Sequence, residues 1–167
     1  MGEGNGFHAV TALLDYPMLV VTTAAGSGED RERSGCLVGF ATQASISPPR
    51  FLVGLSEANH TYRVALRASA LAVHLLGADQ DELARLFGEE TGDRVDKFAS
   101  CAWHDGPDGV PVLDDAVACF GGPVRDRIPL GDHVGFLVEP TWGEVRRASA
   151  PLLGFARAKR LHPGHEA

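Results

Sequence analysis

Three cysteines, Cys36, Cys101 and Cys119, are all that this 167-residue chain carries. The count is odd and no Cys-x-x-Cys occurs, so neither a disulfide framework nor a zinc site is indicated, and the three read as small buried hydrophobes. No apolar run approaches the roughly eighteen residues that a membrane-spanning helix needs. The N-terminal MGEGNGFHAV lacks both a basic stretch and a long apolar core, so it does not read as a signal peptide; the cytoplasm is the default location. Positive charge is in deficit: 15 Lys and Arg against 22 Asp and Glu leave a net charge of -7. That balance argues against a nucleic-acid partner, which needs a basic face. Gly26 and Gly28 lack the third glycine of a dinucleotide fingerprint, since Arg31 holds its place and charged residues follow. No Gly-x-Ser-x-Gly is present to mark a hydrolase of that class. His162 and His165 are separated by Pro163 and Gly164, which break any helical face, so no metal site is expected. No internal repeat occurs.

What is present suits a soluble globular fold: 44% hydrophobic and 22% charged residues. On length, residues 1–167 read as one domain with a core over about 14–158 and a tail over 159–167. A chain of this size buries about 70% of its unfolded surface without staples. In order, Phe7 to Asp15 reads as a short helix or entry arm broken by Pro17. Met18 to Thr23 is a β-branched run and reads as a buried strand. Ala24 to Gly35 is polar and Gly-containing, a turn between antiparallel strands. Cys36 to Phe40 and Phe51 to Leu55 are the next strands, with Pro48-Pro49 between them or on an edge. A helix is predicted from Asn59 or His60 to about Ser69, then a strand over Leu71 to Leu76. Asp79 with Glu82 forms a capping-box pattern and predicts the next helix start. Gly88 to Asp93 is a polar break, and Arg94 to Ser100 a helical turn. Asp105 to Gly109 is a strong turn signal. Val112-Leu113, Ala116 to Arg127 and His133 to Glu139 supply further strands. Trp142 to Arg147 and Leu152 to Ala158 read as a closing strand pair. About seven short strands with helices after only some of them favour an antiparallel barrel over a parallel sheet.

The ordered set Thr42, Ser45, Pro48-Pro49, Phe51 to Leu55 and Asn59-His60-Thr61, followed far downstream by Gly131-Asp132-His133, resembles the flavin reductase family. The similarity covers roughly Leu14 to Glu139. It implies a mainly β fold, the antiparallel split β-barrel of the FMN-binding type with helical insertions. One departure is visible: Gly39-Phe40-Ala41 stands where the family commonly has Ser-Ser-Phe-like residues, so ring contacts from side chains would differ while backbone contacts could survive.

Several candidate residues follow. Thr42, Gln43, Ala44 and Ser45 read on their own as a polar strand end with satisfied hydroxyls. The resemblance implies that this segment, with Gly39, Phe40 and Ala41, holds the edge of an isoalloxazine ring, whose N1/O2 side needs donors because negative charge gathers there on reduction. Asn59 and Thr61 suit a helix N-cap, and a helix start is also an anion site. Under the resemblance the flavin phosphate would rest there, near Ser56, Asn59, His60 and Thr61. Lys97 reads as a surface lysine, and Lys97-Phe98 falls where the family places an aromatic against the flavin or nicotinamide pocket. His133, opening a strand after a Gly-Asp turn, can be structural. The resemblance makes it the catalytic candidate, set over the flavin face to position nicotinamide or tune a proton, tasks that a titratable imidazole suits.

The function so implied is NAD(P)H-dependent reduction of FMN, with FMN favoured over FAD, nicotinamide folded into the same cleft, a homodimer, and a partner monooxygenase that receives reduced flavin. The alternative is an FMN-binding or electron-carrier protein with no NAD(P)H activity of its own.

Overall fold

A computed structural model describes residues 5–89, 92 and 94–160. The expectations for the last residues of the tail, for His162 and His165 and for much of the Gly88 to Asp93 break lie outside the described residues.

The chain begins with α1 (Asn5–Thr11), then β1 (Leu19–Ala25), β2 (Glu32–Val38), β3 (Ala41–Ser45) and β4 (Arg50–Ser56). There follow α2 (His60–Ala65), β5 (Ala70–Leu75), α3 (Asp81–Gly88), β6 (Trp103–Asp105) and β7 (Pro111–Leu113). The rest is β8 (Ala118–Pro129), β9 (His133–Val138), β10 (Trp142–Val145) and α4 (Phe155–Ala158). All pairings are antiparallel. The main sheet runs β2-β1-β5-β8-β9-β4-β3, with β10 added beside β8, and β6-β7 forms a separate hairpin.

The two ends of that sheet, β2 and β3, are consecutive in the chain and joined only by Gly39 and Phe40. The sheet must therefore curl until its ends meet, as the mainly β split barrel requires. Leu19, Val21, Cys36, Val38, Val53, Leu55, Val73, Phe136 and Val138 consequently share one interior cluster although they come from five strands. Successive strand residues face opposite ways, so Val20 points outward, where it packs with Leu76, Phe87, Phe98, Leu113 and Leu153. Both faces of β1 are covered, which is why its sequence is a continuous apolar run and not an alternating one.

His74 joins the hairpin to this sheet. It is fully buried on β5. Its Nδ1 lies 3.0 Å from the Val20 carbonyl and its Nε2 takes the Leu113 N–H at 3.0 Å. An acceptor Nε2 fixes the neutral tautomer with the proton on Nδ1. Burial pushes the imidazole down from 6.5 to about 4.

Several sequence expectations are corrected. The described residues form ten strands, not about seven. The expected Ala24 to Gly35 turn is shorter, because Ala25 pairs with Glu32 and Thr22 with Gly35. Glu32 and Arg33 are tolerated in β2 because that strand has no partner on its outer edge. The small polar patch after Phe40 is not a strand end but a strand of its own, β3, paired to β4. The strands holding Cys36 and Phe51, β2 and β4, are thus far apart along the sheet and not ladder neighbours. The helix expected at Asp79 starts at Asp81, since Asp79 pairs with Arg147 at 3.2 Å. Gln80 turns its side chain to the Gly77 N–H and the Asp115 carbonyl instead of capping. Residues 142–145 pair with β8, while Leu152 and Gly154 make single bridges to Gly77 and Pro17 and 155–158 form a helical turn. Cys36 and Cys119 are buried and Cys101 partly so; burial raises all three thiols, Cys101 to about 11. Among the described residues no helix is long and apolar enough to cross a membrane.

Candidate functional site

The seam where the sheet ends meet gathers residues from four segments. Phe40, in the two-residue link, accepts the Gly54 N–H on its carbonyl at 2.7 Å, which ties the link to β4. At Gly39 a Cβ would stand 2.6 Å from a Tyr16 ring carbon, so a larger residue would have to push that ring aside. On the next strand His133 lies opposite Ser56 in the β4–β9 ladder, and the Glu57 N–H donates to the Asp132 carbonyl at 3.0 Å. The Phe40 and His133 rings are 5.0 Å apart.

Two clefts flank that ring pair. One, of about 310 Å³, lies between Tyr16, Met18, Gly39, Ser56, Asn59 and Phe155. The other, of about 390 Å³, is bounded by Ala41, Thr42, Leu52, Leu130 and Asp132. Phe40, Gly54 and His133 line both. The His133 Nδ1 lies 2.7 Å from Asp132 Oδ1, so Nε2 is the nitrogen placed to meet a ligand. That hydrogen bond holds the Asp132 carboxyl below its ordinary range.

The start of α2 forms the floor on one side. Asn59 is its N-cap and accepts the Thr61 N–H at 2.8 Å. The Thr61 side chain is buried and hydrogen-bonds Ser34 Oγ at 2.8 Å, so its hydroxyl props the floor from beneath. His60 turns the other way: its Nε2 is 2.9 Å from Glu32. The Arg67 hydrogen bond first, and His60 after it, hold the Glu32 carboxyl low.

His60 borders a third cleft, of about 340 Å³, with Arg33, Ser34, Arg94, Lys97 and Phe98. Here the surface reading of Lys97 is corrected, for only 5% of it is exposed. Its Nζ donates to the carbonyls of Gly35 at 3.0 Å and Phe87 at 3.1 Å. Phe98 is buried edge-on between Phe87 and Trp103.

The structure thus brings Gly39, Phe40, Ala41, Thr42, Ser56, Asn59 and His133 to one seam. Gln43 borders an apolar groove with Phe51, Phe120 and Val145. Ala44 and Ser45 continue β3 away from the seam: Ser45 lies opposite Arg50, a full strand length of about 20 Å from Ser56. Tyr16, Met18, Leu130 and Phe155 line the seam without having been singled out in the sequence. Tyr16 and Phe155 meet beside the Pro17–Gly154 bridge, where the Phe155 N–H donates to the Tyr16 carbonyl at 2.8 Å and the rings stack, and no local pattern announces such a contact.

A sequence model described as flavin reductase like domain matches residues 11–161. The chain belongs to the flavin reductase family. It is 31% identical over 156 residues to an NADH:riboflavin 5'-phosphate oxidoreductase of Streptomyces pristinaespiralis, a match that spans 92% of this chain and 85% of that one. A probable flavin reductase of Rhizobium meliloti is 29% identical over 143 residues, covering 86% of this chain but 44% of the relative, so the chain spans less than half of that protein. Among solved structures, the NADH:FAD oxidoreductase of Streptomyces globisporus C-1027 superposes with a TM-score of 0.78 at 26% identity, covering 91% of this chain and 86% of that one. Flavin reductase membership and the split-barrel fold are therefore established together.

Proposed function

We propose that residues 1–167 act as one unit that catalyses NAD(P)H-dependent reduction of FMN, with the flavin seated along the seam beside Phe40 and His133. The observation that carries this reading is the convergence of Gly39, Phe40, Thr42, Ser56, Asn59 and His133, scattered over the sequence, on two clefts that share one wall. The donor set fits a flavin: backbone N–H groups of the link and β3, the Thr42 and Ser56 hydroxyls and the Asn59 amide offer polar contacts around an apolar slot. When bound, FMN would supply the redox chemistry, as the acceptor of a hydride from nicotinamide. The chain's work is to hold two flat rings face to face and to offer donors where negative charge collects. His133, braced by Asp132, positions the nicotinamide or holds a proton at the ring edge. Ser56 and Asn59 anchor the phosphate side from the α2 start, and Thr61 keeps that start in place through Ser34. His60, Lys97, Phe98, Gln43, Ala44 and Ser45 complete the proposed binding set at greater distance. FMN fits this reading better than FAD.

The reading extends to assembly and location. A second copy of the chain would cover the groove of about 640 Å³ lined by Leu19, Phe51, Phe120 and Val145, giving a homodimer. Reduced flavin would pass to a partner monooxygenase in the cytoplasm.

Anaerobic titration of the FMN-loaded protein with NADH tests the function. Bleaching of the yellow absorbance is expected; a yellow protein that does not bleach would instead support a carrier. In the same assay His133→Ala is expected to slow flavin reduction by about a hundredfold, the size of a lost positioning contact, while FMN affinity changes little. An equal loss of both would move His133 out of the reacting site and into the binding wall.

A further inference from the structure

Phe40 is anchored at its backbone and loose at its side chain. Its carbonyl is held by the Gly54 N–H at 2.7 Å. Gly54 keeps the approach close, since a Cβ there would sit 3.2 Å from that carbonyl oxygen and 3.3 Å from the Phe40 Cβ. The residue, by contrast, is 59% exposed. What holds its ring is a row of aromatics: His133 at 5.0 Å on one side, Tyr16 at 6.4 Å on the other, and Phe155 stacked on Tyr16 at 4.9 Å. Both clefts at the seam end on this ring. Each alone is near the lower end of the roughly 300–1,000 Å³ that ligand pockets occupy. The wall between them is the Phe40–His133 contact.

We propose that Phe40 is a movable partition that divides one ligand groove in two, and that its ring must leave His133 before flavin and nicotinamide can lie face to face over Gly54. The inference rests on the flavin reductase reading and adds a step to it. His133 is available to the nicotinamide only when Phe40 is displaced, so the cost of breaking the aromatic contact is subtracted from nicotinamide affinity. An exposed aromatic side chain changes rotamer in picoseconds to nanoseconds, so the partition sets an affinity and not a rate. The buttress of Tyr16 and Phe155 gives the displaced ring a second surface to stack on.

The test uses the full chain saturated with FMN. For Phe40→Ala, KM for NADH is expected to fall by about fivefold, the worth of one aromatic contact that no longer has to be broken. The dissociation constant of NAD+ for the FMN-loaded protein, read by absorbance titration, should fall by the same factor. Phe40→Leu, which keeps bulk but loses the ring, should fall between. A crystal of the wild type soaked with FMN and NAD+ should show the Phe40 ring off His133. If flavin is still reduced but KM and the NAD+ dissociation constant rise in Phe40→Ala, Phe40 is a stacking platform; the partition is overturned and the enzyme reading stands. A soaked crystal with both ligands in place and Phe40 still against His133 would likewise overturn the partition alone. If the wild type takes up no FMN at all, the enzyme reading falls and the partition falls with it.

Discussion

Replacing Lys97 with methionine is expected to lower folding stability by about 3 kcal/mol, because two buried carbonyls each lose a charged donor at about 1–3 kcal/mol apiece. Methionine keeps the length and volume of the stem, so the change isolates the ammonium. The Lys97 Nζ ties Gly35 of β2 to Phe87 at the end of α3, and it also stands 5.6 Å from the Phe87 ring centre. Without it the helix and the strand lose their polar link, while the apolar packing of Phe87 and Phe98 remains. Urea unfolding should show a lower midpoint with an unchanged slope, the sign of altered stability without altered compactness. A contrary pattern, with stability intact and FMN affinity reduced in the folded variant, would make Lys97 a ligand contact first and a structural tie second.

Acidification below neutral pH is expected to cost the fold about 3 kcal/mol through His74 alone. In the folded state burial holds this imidazole at about 4, against 6.5 when exposed. Between those values the unfolded chain binds a proton that the folded chain refuses, so stability rises with pH across that interval and falls as pH drops through it. At 1.36 kcal/mol per pH unit, the gap from 6.5 to about 4 amounts to about 3 kcal/mol. Above 6.5 the effect is absent, and below about 4 it is complete. The carboxylates of Asp79, Asp81 and Asp132, held low by Arg147, Arg157 and His133 respectively, lose their partners' support only at more acid pH, so the histidine step comes first. Protonation would set a charge against the Leu113 N–H, and Arg146 and His104 add unfavourable charge nearby. Urea midpoints taken from about pH 7 down to about pH 4.5 should fall steadily in the wild type. His74→Gln should start lower yet show a flatter profile over that range; an equally steep fall in the variant would assign the acid sensitivity to other groups.

How far the fold was readable depended on what each segment's information was about. β1, β4, β5 and β9 announce themselves because a buried strand must be apolar, and Val20-Val21 or Val53-Gly54-Leu55 can be little else. β3 was not legible as a strand. As an exposed edge it needs no apolar face, so Ala41 to Ser45 looks like any polar connector. The Lys97 reading failed for a related reason: a lysine's partners here are carbonyls, and carbonyls leave no mark in a sequence. The α3 start was misplaced because Asp79 found Arg147, 68 residues away, and a long-range pair overrides a local capping pattern. Among the residues that line the seam, Ser56, Asn59 and His133 were legible because an ordered family pattern names them. Tyr16 and Phe155 were not, since each is ordinary where it stands and significant only against Phe40.

The two-residue link between β2 and β3 has a mechanical consequence. A ring of strands closed by backbone at one point and by few cross-strand hydrogen bonds beside it behaves like a hoop with a clasp. Empty, it should gape there first, and amides of β3 should exchange with solvent ahead of those in β5 or β8. Any molecule that bridges the two lips fastens the hoop, so occupancy alone would harden the protein against heat and proteases as ligand concentration rises.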